Sequence, residues 1–154
     1  MRDYHVTAWR IDAHGSRVHC KDASIDVDTD PAGREDAFNP AELLLAALAS
    51  CMLKGIERVT PMLRFRLSGA RLALRATRQD SPPKIIAIDY ELVVETDESD
   101  HLLDLLHTNI RKFGTITNTL AGATRLEGRI RRSRGDGDEP AITSAVKDVL
   151  HAKS

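Results

Sequence analysis

Apolar and polar residues alternate with a period of two in the first part of the chain. The stretches His5–Ala13 and Ser16–Asp28 both show this alternation, which is typical of half-buried β-strands. Between them lies Ala13–Ser16, where Gly15 can adopt a positive φ, so we expect a β-hairpin that turns there. A loop rich in turn-forming residues follows over Thr29–Phe38.

The next segment predicts a helix over residues 39–60, which Pro61 ends. Asn39 is a typical N-cap, a proline occupies the first helical position, and the Glu42 side chain can reach back to the N–H of the cap. From Leu43 to Leu53 the sequence is apolar or small on every side. Because a helix that is apolar all round is buried on all its faces, we expect a central helix that a partner subunit helps to enclose.

The chain up to residue 132 continues with extended stretches and a second helix. The extended stretches alternate between apolar and other residues, and the helix carries an apolar stripe that Gly114 ends. This order of elements predicts an α+β fold. The predicted elements are the extended stretches Leu63–Leu67, Arg71–Thr77 and Lys84–Thr96, the helix over residues 100–113, and the final strand Ala123–Arg132.

The 154 residues fit one domain, which we place at residues 1–132. Residues 133–154 then form a linker and a short amphipathic helix, from about Ala141 to His151. The 22 basic and 23 acidic residues give a net charge of −1, which argues against nucleic acid or an acidic membrane as a partner. We interpret the basic run Arg129–Arg134 and the acidic run Gly135–Glu139 as a solvated strand end and a mixed-charge linker.

The sequence favours a reduced, cytoplasmic protein without a cofactor. Its two cysteines do not form a disulfide framework, its N-terminus lacks the apolar run of a signal peptide, and no stretch approaches the length of a membrane span. Glycine-rich phosphate loops, a serine nucleophile elbow and the ligand spacings of common metal sites are all absent from the sequence. We therefore expect neither a bound metal nor a nucleotide.

Cys51 is the residue with the clearest chemical potential. It lies three helical turns beyond Asn39, too far for the helix N-terminus to lower the pKa of its thiol. From the residues alone, Cys51 is either a small core residue or a thiolate that a basic side chain from elsewhere stabilises. The basic candidates in the predicted hairpin are Arg10, His14, Arg17 and Lys21.

The first predicted helix begins with Asn39-Pro40, continues with Glu42-Leu43-Leu44 and then has a small-residue run that ends in Cys51. This string resembles the family of osmotically inducible protein C (OsmC) and organic hydroperoxide resistance (Ohr) proteins. Gly114–Gly122 resembles the segment that follows the second central helix in that family. The resemblance covers roughly residues 5–132. It implies an OsmC-like α+β domain with antiparallel sheets wrapped around two central helices, and an intertwined homodimer.

The resemblance also implies reduction of organic hydroperoxides by a peroxidatic cysteine, which Cys51 matches. Gly114 stands where the family has its second cysteine, so a one-cysteine cycle is implied, in which an external thiol or Cys20 reduces the sulfenic acid. An arginine of the hairpin and a glutamate near the helix start would hold the thiolate and the peroxide. Arg17 is our first choice, ahead of Arg10, and Glu42 lies one residue beyond the position that the family pattern gives its glutamate.

The same departures from the family pattern leave a second interpretation open. The missing cysteine at Gly114 and the displaced Glu42 favour a non-catalytic member, either a redox sensor or a module that binds a small apolar ligand. The retained Cys51 favours the enzyme.

Overall fold

The computed structural model describes residues 1–142, and the chain forms two compact units, Met1–Ala46 and the residues from Ala47 onward. The predicted C-terminal helix, from about Ala141 to His151, lies outside the described residues except for its first two. In chain order the elements are β1 (Thr7–Arg10), β2 (Gly15–Cys20), β3 (Ala23–Asp28), α1 (Pro40–Leu63), β4 (Gly69–Gln79), β5 (Lys84–Glu95), α2 (Asp100–Phe113), α3 (Thr115–Ala121) and β6 (Arg125–Arg132).

The first unit contains an antiparallel sheet in the order β1-β2-β3. The predicted hairpin between β1 and β2 is present, but the expectation of a positive φ at Gly15 is wrong. The Asp12 carboxylate forms the turn instead, since it accepts hydrogen bonds from the backbone N–H groups of His14 (2.8 Å) and Gly15 (2.9 Å). A Cβ at Gly15 would lie 2.6 Å from Nη1 of Arg34, so a larger residue there would require the end of the Arg34 side chain to move.

The second predicted strand, Ser16–Asp28, is divided into β2 and β3. Cys20 and Ala23 are paired across a two-residue turn, in which Lys21 has a positive φ of 56°. The sequence pattern missed this turn because Lys21 and Asp22 are not the glycine or asparagine that usually mark a position of this kind.

The start of α1 confirms the predicted N-cap at Asn39, but its end does not lie at Pro61. The helix runs on to Leu63 and closes with two hydrogen bonds, from the N–H of Phe65 to the carbonyl of Thr60 (3.0 Å) and from the N–H of Arg64 to the carbonyl of Pro61 (3.4 Å). Arg64 has a positive φ of 50°, so the end is a Schellman motif. The stretch Leu63–Leu67 was predicted to be extended because its apolar and basic residues alternate. This prediction is wrong, since the stretch contains the end of α1 instead.

The second unit contains the sheet β4-β5-β6. β4 and β5 are antiparallel, as expected, whereas β5 and β6 are parallel. The expectation of purely antiparallel sheets is therefore wrong for this pair. The parallel pairing follows from the connection, since α2 and α3 carry the chain back between the two strands.

Two helices connect β5 and β6. The helix α2 begins and ends at the predicted residues. The Ser99 side chain caps its N-terminus by accepting a hydrogen bond from the N–H of Leu102 (3.3 Å). The short helix α3, which begins directly after Gly114, was not predicted. The α+β class is confirmed.

The core of the second unit comprises the inner residues of β5 (Ile88, Tyr90, Leu92, Val94), of α1 (Leu48, Met52, Ile56, Val59) and of α2 (Leu103, Leu106, Ile110).

None of the helices within residues 1–142 combines the length and the apolar character needed to cross a bilayer.

Candidate active site

Cys51 lies near the middle of α1 as a free, half-buried thiol. Its neighbour Met52 is almost fully buried. One helical turn further on, Gly55 packs against α2, where a Cβ would lie 3.2 Å from Cγ2 of Ile110. Residues four apart share a helix face, so Cys51 lies on the face of α1 that approaches α2. The thiol is thus placed next to a close helix contact and retains partial exposure.

Glu42 and Asn39 form a reciprocal capping box at the start of α1. The Glu42 carboxylate accepts from the backbone N–H of Asn39 (2.9 Å), and the Asn39 side chain accepts from the backbone N–H of Glu42 (3.0 Å). The structure therefore confirms the predicted capping bonds. A role for Glu42 in a reaction stays a prediction, since the second carboxylate oxygen has no hydrogen bond in the described part of the chain that would assign it one.

Arg17 projects from β2 and forms a two-point ion pair with Asp26 of β3. Nε lies 2.6 Å from Oδ1, and Nη2 lies 3.2 Å from Oδ2. The hydrogen bond raises the pKa of Arg17 and lowers the pKa of Asp26. Both side chains are about half exposed, with 45% and 53% of their surface accessible. Arg17 is thus held in a fixed orientation by a carboxylate, and its role beside a thiolate stays a prediction.

His14 in the same unit pairs with Asp30. Nδ1 lies 2.6 Å from Oδ2 of Asp30, and this hydrogen bond raises the pKa of His14. The other free thiol, Cys20, is half-buried at the end of β2, beside the turn at Lys21. The structure therefore assigns His14, in the turn between β1 and β2, to an ion pair with the loop that follows β3, and leaves Cys20 as a reduced thiol.

Gly114 is buried between α2 and α3, where it is the N-cap of α3. A Cβ at this position would lie 2.7 Å from Oγ1 of Thr117 and 3.1 Å from the carbonyl oxygen of Ile110. Thr117 Oγ1 is itself buried and has no hydrogen-bond partner among the described residues. A cysteine at position 114 therefore requires Thr117 to move, which is consistent with the absence of the second family cysteine.

A polar cluster in the second unit was missed by the sequence analysis. The Tyr90 hydroxyl lies 2.6 Å from Nε2 of His107 and accepts from Nη1 of Arg111 at 2.9 Å. Arg111 also donates to the carbonyl of Leu126 (2.9 Å). Burial raises the pKa of Tyr90 and lowers the pKa of His107. His107 and Arg111 are four residues apart, so they share the α2 face that Ile110 adjoins, and this spacing was the available signal.

No group of three or more His, Cys, Asp or Glu side chains within residues 1–142 is arranged to hold a metal ion.

The α+β architecture, with its capped helix carrying a half-buried thiol, defines an OsmC-type fold. The sequence model of the family described as OsmC-like protein matches residues 33–128, well over half of the chain. The protein therefore belongs to the OsmC-like family, which confirms the resemblance seen in the sequence.

Solved structures share this fold at low sequence identity. An OsmC-like protein from Mycoplasma pneumoniae is 18% identical with a TM-score of 0.79, covering 85% of this chain and 97% of its own. An organic hydroperoxide resistance protein OsmC from Legionella pneumophila is 17% identical with a TM-score of 0.69, covering 84% and 98%. The organic hydroperoxide resistance protein OhrB of Bacillus subtilis is 19% identical with a TM-score of 0.61, covering 84% and 98%. A search of curated protein sequences finds no match to this chain.

Proposed function

We propose that this protein is a thiol-dependent peroxidase that reduces organic hydroperoxides through Cys51. The observation that carries the proposal is a free, half-buried thiol on α1, within the family-matched residues 33–128. A fully buried thiol could not meet a substrate, whereas partial exposure provides access and burial limits the loss of the oxidised sulfur to side reactions. Two of the structural neighbours are described as organic hydroperoxide resistance proteins, which supports this class of substrate.

The proposed reaction begins with the Cys51 thiolate attacking one oxygen of the O–O bond. That bond breaks, the sulfur is oxidised by two electrons to a sulfenic acid, and the other oxygen leaves with a proton as an alcohol. An external thiol then condenses with the sulfenic acid, which releases water and forms a mixed disulfide. A second external thiol attacks this disulfide, frees Cys51 and carries away the oxidised reductant. Gly114 offers no sulfur for an internal step, so the cycle uses one cysteine of the chain.

Arg17 and Glu42 are proposed to assist Cys51, Arg17 as the cation that stabilises the thiolate and Glu42 as the carboxylate that orients its surroundings. An arginine whose guanidinium group is already held by a carboxylate loses less side-chain entropy on binding a further anion than a freely rotating arginine does. The pair of Arg17 with Asp26 provides this fixed orientation, which supports Arg17 over Arg10. The protein is proposed to act in the reducing cytoplasm as a homodimer.

Oxidation of the intact protein by cumene hydroperoxide tests the proposal. Cys51 should form a sulfenic acid at one equivalent of oxidant, detected by dimedone trapping and mass spectrometry, and Cys51→Ser should lose the adduct. Cys20 is a matched control, because it is the other free, half-buried thiol and Cys20→Ser should keep the Cys51 adduct. Equal and slow oxidation of both thiols under excess oxidant would overturn the proposal.

A second candidate function is a non-catalytic member of the family that binds a small apolar ligand or senses oxidants. The close packing of Thr117 on Gly114 and the use of Glu42 in a capping box favour it, because both positions carry a structural role in place of a chemical one. If the protein only binds a ligand, Cys51 stays reduced in the same oxidation experiment, whereas a sensor forms the Cys51 adduct but does not turn over hydroperoxide with an external thiol.

A further inference from the structure

The segment Asp138–Ala141 lies beyond the family-matched residues and crosses one face of the second sheet. We call it the strap. Tyr90 and Glu91 are neighbours in β5, so their side chains point to opposite faces of the sheet. Tyr90 contacts α2, whereas Glu91 binds the strap. The strap therefore lies on the face opposite α2.

One side chain from each strand of the sheet binds the strap. Arg131 of β6 donates to both carboxylate oxygens of Asp138, at 2.5 and 2.9 Å, and to the carbonyl of Glu139 at 3.1 Å. Arg71 of β4 donates to the carbonyl of Asp138 at 2.8 Å. Glu91 of β5 accepts from the backbone N–H of Ala141. We call Arg71, Glu91 and Arg131 the strap site.

These contacts correct the interpretation of the sequence. The acidic run was expected to be part of a solvated linker, but its Asp138 is half-buried and binds Arg131 of the preceding basic run. Glu91 is only 1% exposed, and the guanidinium groups of Arg129 (2.8 Å) and Arg131 (2.9 Å) compensate its charge. A buried carboxylate is tolerated only with such partners, so the arginines of β6 and the strap together stabilise the charge of Glu91.

The strap site recognises the features of a peptide. A guanidinium fork binds the side-chain carboxylate, two arginines bind consecutive backbone carbonyls, and a carboxylate binds a backbone N–H. A simple anion would use the arginines alone and would be repelled by Glu91. A peptide with an acidic residue followed by a free N–H three positions later uses every group.

We propose that the strap site is a docking site for an acidic peptide segment, which the chain occupies with its own strap as an autoinhibitory latch. Local opening of a segment that lies outside the strands of the sheet costs less free energy than global unfolding. The connection to β6 contains Gly135 and Gly137, both with positive φ (149° and 76°), so the strap is attached through residues of high conformational freedom. When the latch opens, the freed site binds an acidic peptide from another protein.

Charge reversal at Asp138 in the full-length chain tests the latch. Asp138→Arg replaces the carboxylate that binds Arg131 with a cation and should open the strap. Amide exchange at Ala141 should become about tenfold faster or more. Asp136→Arg makes the same change two residues away, at an exposed position, and should leave the exchange at its wild-type rate. Unchanged protection of Ala141 in Asp138→Arg would show that Asp138 does not hold the strap and would overturn the proposal.

Binding of a labelled peptide tests the docking site. The probe is a fluorescein-labelled peptide with the sequence of residues 135–142, followed by fluorescence anisotropy. A tethered strap competes at an effective concentration on the order of millimolar, so Asp138→Arg should bind the peptide at least tenfold more tightly than wild type or Asp136→Arg. The same peptide with asparagine in place of its second aspartate should not bind.

A folded Asp138→Arg protein, judged by circular dichroism, that fails to bind the peptide at millimolar concentration would refute the docking site. Should charge reversal prevent folding, Asp138→Asn removes the charge without repulsion and is measured in the same way. These outcomes are independent of the peroxidase proposal, because Cys51 is unchanged in every variant.

Discussion

The ring of Tyr90 limits the space that is available for a side chain at Gly128. Tyr90 is buried in β5, and its ring occupies the space beside Gly128 of β6, where a Cβ would lie 2.4 Å from ring atoms. Because the ring is also held by hydrogen bonds to His107 and Arg111, it cannot move away freely. Gly128 is thus required for close approach rather than for a special φ.

Gly128→Ala should therefore destabilise the protein. Overpacking of this kind costs about 1–3 kcal/mol, which corresponds to a melting temperature lower by roughly 2–4 °C per kcal/mol for a chain of this size. Thermal unfolding followed by circular dichroism measures the change. Gly122→Ala is the matched control, since a Cβ there meets its nearest atom at 3.7 Å and should not lower the melting temperature. Equal melting temperatures for the two variants would contradict the packing argument.

Substitutions of Glu42 separate its structural role from its chemical one. Glutamine can replace glutamate in a capping box, so Glu42→Gln should keep the wild-type melting temperature, while Glu42→Ala should lose about 1 kcal/mol of stability. If the charge of Glu42 assists Cys51, as we propose, turnover of cumene hydroperoxide falls on the order of tenfold or more in Glu42→Gln. Unchanged turnover in this stable variant would limit Glu42 to capping.

Among the elements, α2 depends most clearly on an ionisable group. Arg111 donates to the Tyr90 hydroxyl, and this hydroxyl can donate its own proton to Nε2 of His107, 2.6 Å away, only when His107 is neutral. Burial lowers the pKa of His107 below 6.5, and Arg111 acts in the same direction, against a smaller opposite effect of Asp104. The contact between α2 and the sheet is therefore built for the uncharged imidazole.

Acidification should weaken this contact. Since the folded pKa of His107 lies below the unfolded value, its contribution to stability is present above pH 6.5 and is lost as the pH falls through the folded pKa. The melting temperature should fall more between pH 7.5 and 5.5 in wild type than in His107→Gln, whose amide oxygen still accepts from Tyr90. The raised pKa of His14 gives its contribution to stability the opposite pH dependence. Because His14 is present in both proteins, this contribution cancels in the comparison. An equal fall in melting temperature in the two proteins would exclude His107 as the cause.

The ends of α1 show what a sequence pattern can and cannot predict. The N-terminus was predictable because capping depends on local residue types, Asn39 and Glu42. The C-terminus was not, because Arg64 adopts a positive φ that glycine usually provides, and the buried Phe65 next to it closes the motif. Local chemistry was therefore sufficient at one end, and tertiary burial decided the other.

At the scale of the whole molecule, apolar surface remains uncovered. Val6 (61% exposed) and Ile25 (51%) lie in the first unit, and Leu53 (40%) and Met62 (62%) lie on α1. A three-stranded sheet needs its apolar face covered to be stable, and exposed apolar patches mark interaction surfaces. Each unit thus exposes apolar residues of its own, and the homodimer stays the prediction for what covers them.

Sedimentation equilibrium tests the assembly. The measured mass should be twice the 17.0 kDa of the single chain at micromolar concentration. A mass of one chain throughout the concentration series would contradict the homodimer and leave the apolar surface without a partner.

The candidate site was predictable only in part. The family and Cys51 followed from the order of residues along one helix, since the motif is local. The hydrogen bonds of Arg17 with Asp26, of Tyr90 with His107, and of the strap with Arg131 join different elements of the structure. Pairings of this kind depend on strand register and on tertiary packing, which residue types alone do not fix.

The most direct test of the peroxidase proposal is multiple turnover of an organic hydroperoxide with an excess external dithiol. Loss of cumene hydroperoxide should continue for many equivalents with wild type and with Cys20→Ser, and should fall to the uncatalysed rate with Cys51→Ser. Turnover that persists in Cys51→Ser, or that stops after one equivalent in wild type despite the dithiol, would contradict a catalytic cycle at Cys51.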